Sequence, residues 1–392
     1  MKRVLFVAEL GSGFGHVRRL LPLARAARRA GHRAIFLVAN PVEAALADAA
    51  DFAMLKAPDL SPPAPAAPPR GGPAFHARSF ADILDRAGFG DAAVVTRAIE
   101  AWRRIIDDLR PDAAVCELSP YFCLATFGGS LPVLVTGYGF VLPPPDLASF
   151  PAIAGGEACP PEIEARALAT VGHALGRIGR AQPQALPAIF AGRTHAVTGL
   201  DALDPYRAVR SRPAVGPPGA SAGIAAPSGA TDDVFGYLLG ESRATLPLLR
   251  ALGASGARGR VYVRRPTSLE RAAISGTNIA WLDAPVPMAD ALARARLAVH
   301  HGSMLTSEEC LLAGRPQLVL PLYLEHLLTT RALLDMGVGR VVRADAAEEV
   351  VRATVETAMA AGNTALRAAE AVAHSLPRPP PDLPERLLRT VL

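Results

Sequence analysis

The chain has 392 residues, half of them apolar and a fifth charged, with a net charge of +5. That size and composition exclude a disordered chain and a small scaffold that needs disulfides or a structural metal, and they favour two domains of similar size. The positive charge is carried almost wholly by scattered arginines, with Lys2 and Lys56 the two lysines, so no dense basic block points to nucleic acid.

In chain order, Val4 to Ala8 is a continuous apolar run, as expected of a strand buried on both faces. Nothing before it resembles a signal peptide, and no apolar stretch is long and unbroken enough to span a membrane. The four cysteines, Cys116, Cys123, Cys159 and Cys310, form no C-x-x-C pair and read as small buried hydrophobes. A reducing, cytoplasmic setting is the expectation, with room for a weak peripheral contact with an anionic membrane.

After a glycine-rich turn, Val17, Leu20, Leu21, Ala24 and Ala27 recur at helical spacing, with Arg18, Arg19, Arg25, Arg28 and Arg29 expected on the solvated side. Gly31 ends this helix. Further strands are expected at Ala34–Ala39, Ala113–Cys116, Val133–Thr136 and Ala196–Thr198, the rhythm of a parallel doubly wound sheet. Ser61 to Pro73 is a Pro/Gly loop. Trp102 to Ile105 lie on a helix read as presenting a solvated face. Residues 212–233 read as a linker between domains 1–211 and 234–379, after which the alternation restarts. Strands are expected at Val234–Leu239, Arg260–Val263, Leu297–His300, Gln317–Leu320 and Arg340–Val342. Residues 380–392 form a short amphipathic helix that can cross back onto the first domain.

Two segments carry chemistry. Gly11-Ser-Gly-Phe-Gly-His16 lies between the first strand and the first helix. Its glycine spacing departs from the dinucleotide fingerprint, and the second strand ends in Asn40-Pro41 where an acidic ribose ligand is wanted, so a dehydrogenase fits poorly. The glycines let a substrate approach the backbone, and a histidine at a helix N-terminus is biased toward its neutral, base-competent form. In the second half, His300 to His326 reads HHGSMLTSEECLLAGRPQLVLPLYLEH: a strand, a tight polar turn and a helix from near Leu305. Amides and a positive dipole end at a parallel strand's C-terminal edge suit a diphosphate, with His301, Thr306 and Ser307 as further donors and Glu309 in reach of ribose hydroxyls.

The run His301, Thr306, Glu309, Ala313-Gly314, Pro316, Pro321 and Glu325-His326 resembles the donor-site signature of nucleotide-sugar glycosyltransferases of the macrolide, glycopeptide and plant-metabolite type. The resemblance implies the GT-B architecture, an α/β fold of two Rossmann-like doubly wound parallel-sheet domains facing across a cleft. It implies that His301 and Thr306, with the turn residues Gly302 and Ser303, hold the diphosphate, that Glu309 holds ribose, and that Glu325 and His326 hold the sugar. Ser242 is matched to a phosphate contact and doubles as a helix N-cap. Trp281 resembles the element beside the base. Ser303 and Leu305 replace the usual glycines, and His326 the commoner glutamine.

The same resemblance makes His16 the general base and Glu117 the carboxylate that orients it, while a hydroxyl attacks the anomeric carbon with inversion and no metal. The acceptor, a small molecule or lipid, is expected between the domains against Phe14, the 61–73 loop, the segment with Tyr138 and Phe140, and residues 152–161. The donor is a UDP- or TDP-sugar, used as co-substrate without a further cofactor. A catalytically idle GT-B protein that binds a sugar nucleotide or a protein partner, and a nucleotide-sugar epimerase, are the other readings.

Overall fold

The computed structural model describes residues 1–10, 15–41, 51–60, 77–153, 156–219, 232–240 and 242–392. The chain divides into two compact units, one of Met1–Gly219 with Pro379–Leu392 and the other of Ala220–Arg378.

The first unit holds strands β1 (Arg3–Ala8), β2 (Arg33–Val38), β3 (Ala53–Lys56), β4 (Ala113–Glu117), β5 (Val133–Gly137) and β6 (Thr194–Val197). They form one sheet in the order β3-β2-β1-β4-β5-β6, every neighbouring pair parallel. Side chains alternate between the two faces of β1 and are apolar on both, which is why its sequence reads as an unbroken run. Leu5 and Val7 join a core with Trp102, Tyr121 and Phe190. Val4, Phe6 and Ala8 join the opposite core with Leu20, Leu23 and Ala24 of the helix Gly15–Arg29.

That second core also takes Leu383, Leu387, Leu388 and Val391 from the C-terminal segment, whose helix spans Leu383–Arg389. Each such buried side chain is worth roughly 1.5–3 kcal/mol. The exposed Arg29–Glu385 ion pair, at 2.6 Å, adds no more than about 1 kcal/mol. Packing therefore docks this helix. Residues 212–219 lie against the first unit as well: the Ala214 amide donates to Asp201 at 3.2 Å and that of Val215 to the Val197 carbonyl at 2.8 Å.

The second unit repeats the plan with β7 (Asp232–Leu239), β8 (Gly259–Arg264), β9 (Ile279–Leu282), β10 (Ala295–His300), β11 (Gln317–Val319) and β12 (Gly339–Val341). The order is β12-β11-β10-β7-β8-β9, again all parallel. Counted from the first strand of each unit, both sheets have the order 3-2-1-4-5-6 of a doubly wound nucleotide-binding fold. The order reverses between β1 and β4 in one unit and between β7 and β10 in the other. Ligands of such sheets bind outside the carboxyl ends of the strands at that reversal.

The strands expected from sequence are present with ends shifted by one or two residues. The two unforeseen strands, β3 and β9, are four-residue edge strands whose apolar runs, Ala53-Met-Leu and Ile279-Ala-Trp-Leu, are too short to tell from a helix or loop segment. Two expectations about helix faces need correction. Arg19 is buried and donates to the Thr198 carbonyl at 2.7 Å. Trp102 is wholly buried and points into the core. Among the described residues no helix is long and apolar enough to cross a membrane.

Candidate functional site

In the first unit, His16 stands in the first turn of the helix Gly15–Arg29, just after β1, and Glu117 is the last residue of β4. The two flank the reversal in strand order. His16 Nδ1 lies 3.5 Å from Glu117 Oε1, and the side chains are 14% and 0% exposed. Among the described residues neither Glu117 oxygen accepts a hydrogen bond. A buried carboxylate left like this calls for a donor, and His16 stands beside it. The contact is longer than a tight hydrogen bond, as unliganded catalytic pairs often are. Gly137, at the end of β5, is needed beside them: a Cβ there would stand 2.8 Å from Val141 Cγ2 and 3.3 Å from Glu117 Cγ.

Tyr138 follows Gly137 and is only 5% exposed. Its ring stacks on His16, with centroids 6.4 Å apart and planes 22° apart, and the Arg19 guanidinium sits 4.7 Å from its centre. Tyr138, expected on the acceptor wall, packs its ring against His16 and Arg19. Phe140 is half-buried in the following 3-10 turn. Asp204 and Arg210 pin that turn, the guanidinium also donating to the carbonyls of Gly139 and Leu142 at 3.0 and 2.7 Å. Phe14, the 61–73 loop and part of 152–161 lie outside the described residues.

Glu9, one residue beyond β1, had drawn no attention in the sequence. It is 5% exposed and accepts from Trp102 Nε1 at 2.7 Å and from the amides of Tyr121 and Phe122 at 3.0 and 2.8 Å. Burial pushes its carboxyl up to about 8 against the pull of those donors. The available signal was a lone carboxylate ending a fully apolar strand.

In the second unit, β10 runs into His301, Gly302 and the helix Met304–Leu312. Gly302 has φ +84°, and a Cβ on it would stand 2.8 Å from Val319 Cγ1 and 3.1 Å from the His326 carbonyl oxygen. Only glycine fits this turn. Ser303 takes the N-cap position but turns its hydroxyl to Thr306 Oγ1 at 3.0 Å instead of capping a backbone amide. The Glu325 carboxylate accepts from the Met304 amide at 3.4 Å. Glu325 therefore sits at the helix N-terminus, where a phosphate is also favoured.

His301 departs from the expected role. Its Nε2 accepts from the Leu239 amide at 2.7 Å, and its Nδ1 donates to the Leu320 carbonyl at 2.8 Å. Burial lowers its pKa, so the ring is neutral and has no hydrogen left for a phosphate. It joins the ends of β7, β10 and β11 instead. His300 is similarly structural, donating to Gln317 at 2.9 Å and accepting from the Gly302 amide at 2.9 Å. His326 accepts from the Leu322 amide at 3.3 Å through Nδ1, which leaves its hydrogen on Nε2. Ser307 is wholly buried and offers no hydroxyl to the mouth.

Thr306 is nearly buried and Glu309 half-buried on the same helix. Ser242, after β7, has a buried hydroxyl with no hydrogen-bond partner among the described residues. Trp281 lies on edge strand β9 under the Arg271 guanidinium at 4.9 Å.

Solved structures of similar shape span nearly the whole chain. The glycosyltransferase VinC in complex with dTDP has a TM-score of 0.67 at 17% identity, covering 99% of both chains. The spinosyn rhamnosyltransferase SpnG, complexed with thymidine diphosphate, has 0.64 at 19%, covering 99% of both. MurG from Acinetobacter baumannii has 0.59 at 16%, covering 100% of this chain and 99% of its own. The chain has the GT-B fold. No protein-family model matches it, and no curated protein does.

The histidines of this GT-B chain's second unit give it a defined acid response. Burial lowers His300 to about 4 and His326 to about 3 from an ordinary value of 6.5. As pH falls from about 6.5 toward those values, the unfolded chain takes up protons that the folded unit refuses, so stability is lost. At pH 5 the expected loss relative to pH 7 is on the order of 2 kcal/mol for each histidine. Urea midpoints measured at the two pH values check this, and His326→Gln should remove its share of the slope.

Proposed function

We propose that the chain is an inverting, metal-independent glycosyltransferase that moves a sugar from a UDP- or TDP-sugar to a hydroxyl of a small, lipophilic or aromatic acceptor. The observation that carries the reading is the buried Glu117 carboxylate 3.5 Å from His16 Nδ1 at the strand-order reversal of the first sheet. Glu117 holds the hydrogen of His16 on Nδ1, which leaves Nε2 as the base. The acceptor oxygen attacks the anomeric carbon, its proton passes to Nε2, and the bond to the diphosphate breaks, so the configuration inverts. A positioned base of this kind supplies about 10²–10⁴-fold.

The donor belongs to the second unit. The turn at Gly302 and the start of the helix Met304–Leu312 offer amides and a positive dipole end to the diphosphate. The buried Ser242 hydroxyl is a further donor. Since His301 is committed to Leu239 and Leu320, the backbone carries the phosphate contact and the ring shapes the turn. Glu325 leaves the Met304 amide when the diphosphate arrives and turns to the sugar, where His326 Nε2–H joins it; Glu309 takes the ribose. The thymidine diphosphate named with VinC and SpnG supports a TDP-sugar alongside a UDP-sugar.

The test is incubation with α-linked UDP- and TDP-sugars and a panel of phenolic and macrocyclic alcohols, reading the anomeric proton coupling of the product. A β-linked product is expected; an α-linked one would overturn the single-displacement mechanism.

A further inference from the structure

We propose that Glu9 is a positioning residue for the His16–Glu117 pair: from the end of β1 it clamps the turn after β4 in the conformation that aims Glu117 at His16. The proposal rests on the glycosyltransferase reading only for what the pair does; the clamp itself is read from geometry.

The backbone does not run smoothly from β4 into the helix Pro120–Thr126. Leu118 has φ +43°, in the left-handed region that a leucine adopts only under constraint. A residue held this way persists because its surroundings over-determine it. Three sets of contacts do so here, all from residues 9 and 10. The Leu10 amide donates to the Leu118 carbonyl at 3.1 Å. The Glu9 amide donates to Ser119 Oγ at 3.0 Å, and that hydroxyl donates to the Glu117 carbonyl at 2.8 Å. The Glu9 carboxyl then takes the first amides of the helix, Tyr121 on Oε1 and Phe122 on Oε2, with Trp102 Nε1 completing Oε2.

Every one of these donors is an N–H group, so the ionised carboxylate, which burial confines to pH above about 8, is the form whose two oxygens accept from all three. Nothing in the transfer chemistry uses Glu9, which is buried away from solvent. Yet the pair depends on it: its contacts set the turn after Glu117, and with it the direction in which the Glu117 carboxylate meets His16. Glutamine at position 9 keeps the shape but replaces one acceptor oxygen with an NH₂ that faces an N–H.

The readout is the ring tautomer of His16, from ¹⁵N chemical shifts in the labelled full-length protein at pH 9, where the Glu9 carboxyl is ionised. In the wild type the Nδ1–H form should be the majority, held by Glu117. In Glu9→Gln the Nε2–H form, preferred by free imidazole, should take over while cooperative thermal unfolding is retained. If that variant does not fold, Ser119→Ala carries the test, with a smaller shift in the same direction. Adding Leu118→Gly to Glu9→Gln should restore Nδ1–H, because glycine adopts the left-handed turn without strain. A folded Glu9→Gln, or Ser119→Ala in its place, with an unchanged tautomer would overturn the clamp and leave the pair standing. A wild-type His16 that is already mainly Nε2–H would overturn the reading of the pair itself.

Discussion

Replacing His16 by alanine should lower turnover by about 10²–10⁴-fold, the contribution of a positioned general base. The donor's affinity should hardly change, because His16 belongs to the first unit and the nucleotide is assigned to the second. Glu117→Gln should lose part of the same factor: the amide fits the space but no longer fixes the Nδ1–H tautomer by charge. The two act as one device, so the double variant should be little worse than His16→Ala alone. Steady-state kcat together with the nucleoside diphosphate Kd for the three variants checks this. Equal kcat in His16→Ala and wild type would remove His16 from the chemistry, and an additive double variant would uncouple it from Glu117.

The second large effect is expected at Gly302. Alanine there must take φ +84° and put its Cβ 2.8 Å from Val319 Cγ1 and 3.1 Å from the His326 carbonyl oxygen. Left-handed backbone costs a residue with a Cβ about 1–2 kcal/mol before any clash. The clash adds to that by pushing the turn away from β11, and with it the amides that the diphosphate needs. Gly302→Ala should therefore weaken nucleoside diphosphate binding by about tenfold or more, since 1.4 kcal/mol is a factor of ten. Gly256→Ala is the control: Gly256 has φ +71° but open space around it, so it should lose stability and keep its affinity. Calorimetric titration of both variants checks the pair.

Much of this architecture is legible in the residues, and what escaped did so for identifiable reasons. Val4–Ala8 and Leu297–His300 read as strands because parallel strands covered on both faces are apolar throughout. The edge strands β3 and β9 are covered on fewer sides, and their apolar runs of three and four residues are too short to be told from other segments. The pairing of His16 with Glu117 is implied by the resemblance, and the structure brings the two side chains to 3.5 Å. The work of His301 could not be placed, since it depends on Leu239 and Leu320, which the fold alone brings to one ring. Arg19 misled for a related reason: helical spacing shows which face it shares, but not that Tyr138 and the Thr198 carbonyl wait there to cover it. Nor does composition announce a strained leucine at position 118 or the buried carboxyl beside it.

The central claim, a nucleotide-sugar site in the second unit, is tested most directly by thermal unfolding of the purified protein with UDP, TDP, GDP, their sugar conjugates and NAD. A ligand at a hundred times its dissociation constant stabilises the folded state by about 2.7 kcal/mol, enough to move the transition visibly. The account predicts an upward shift with UDP or TDP and none with NAD. An unmoved transition with every nucleoside diphosphate, or a shift with NAD alone, would contradict it.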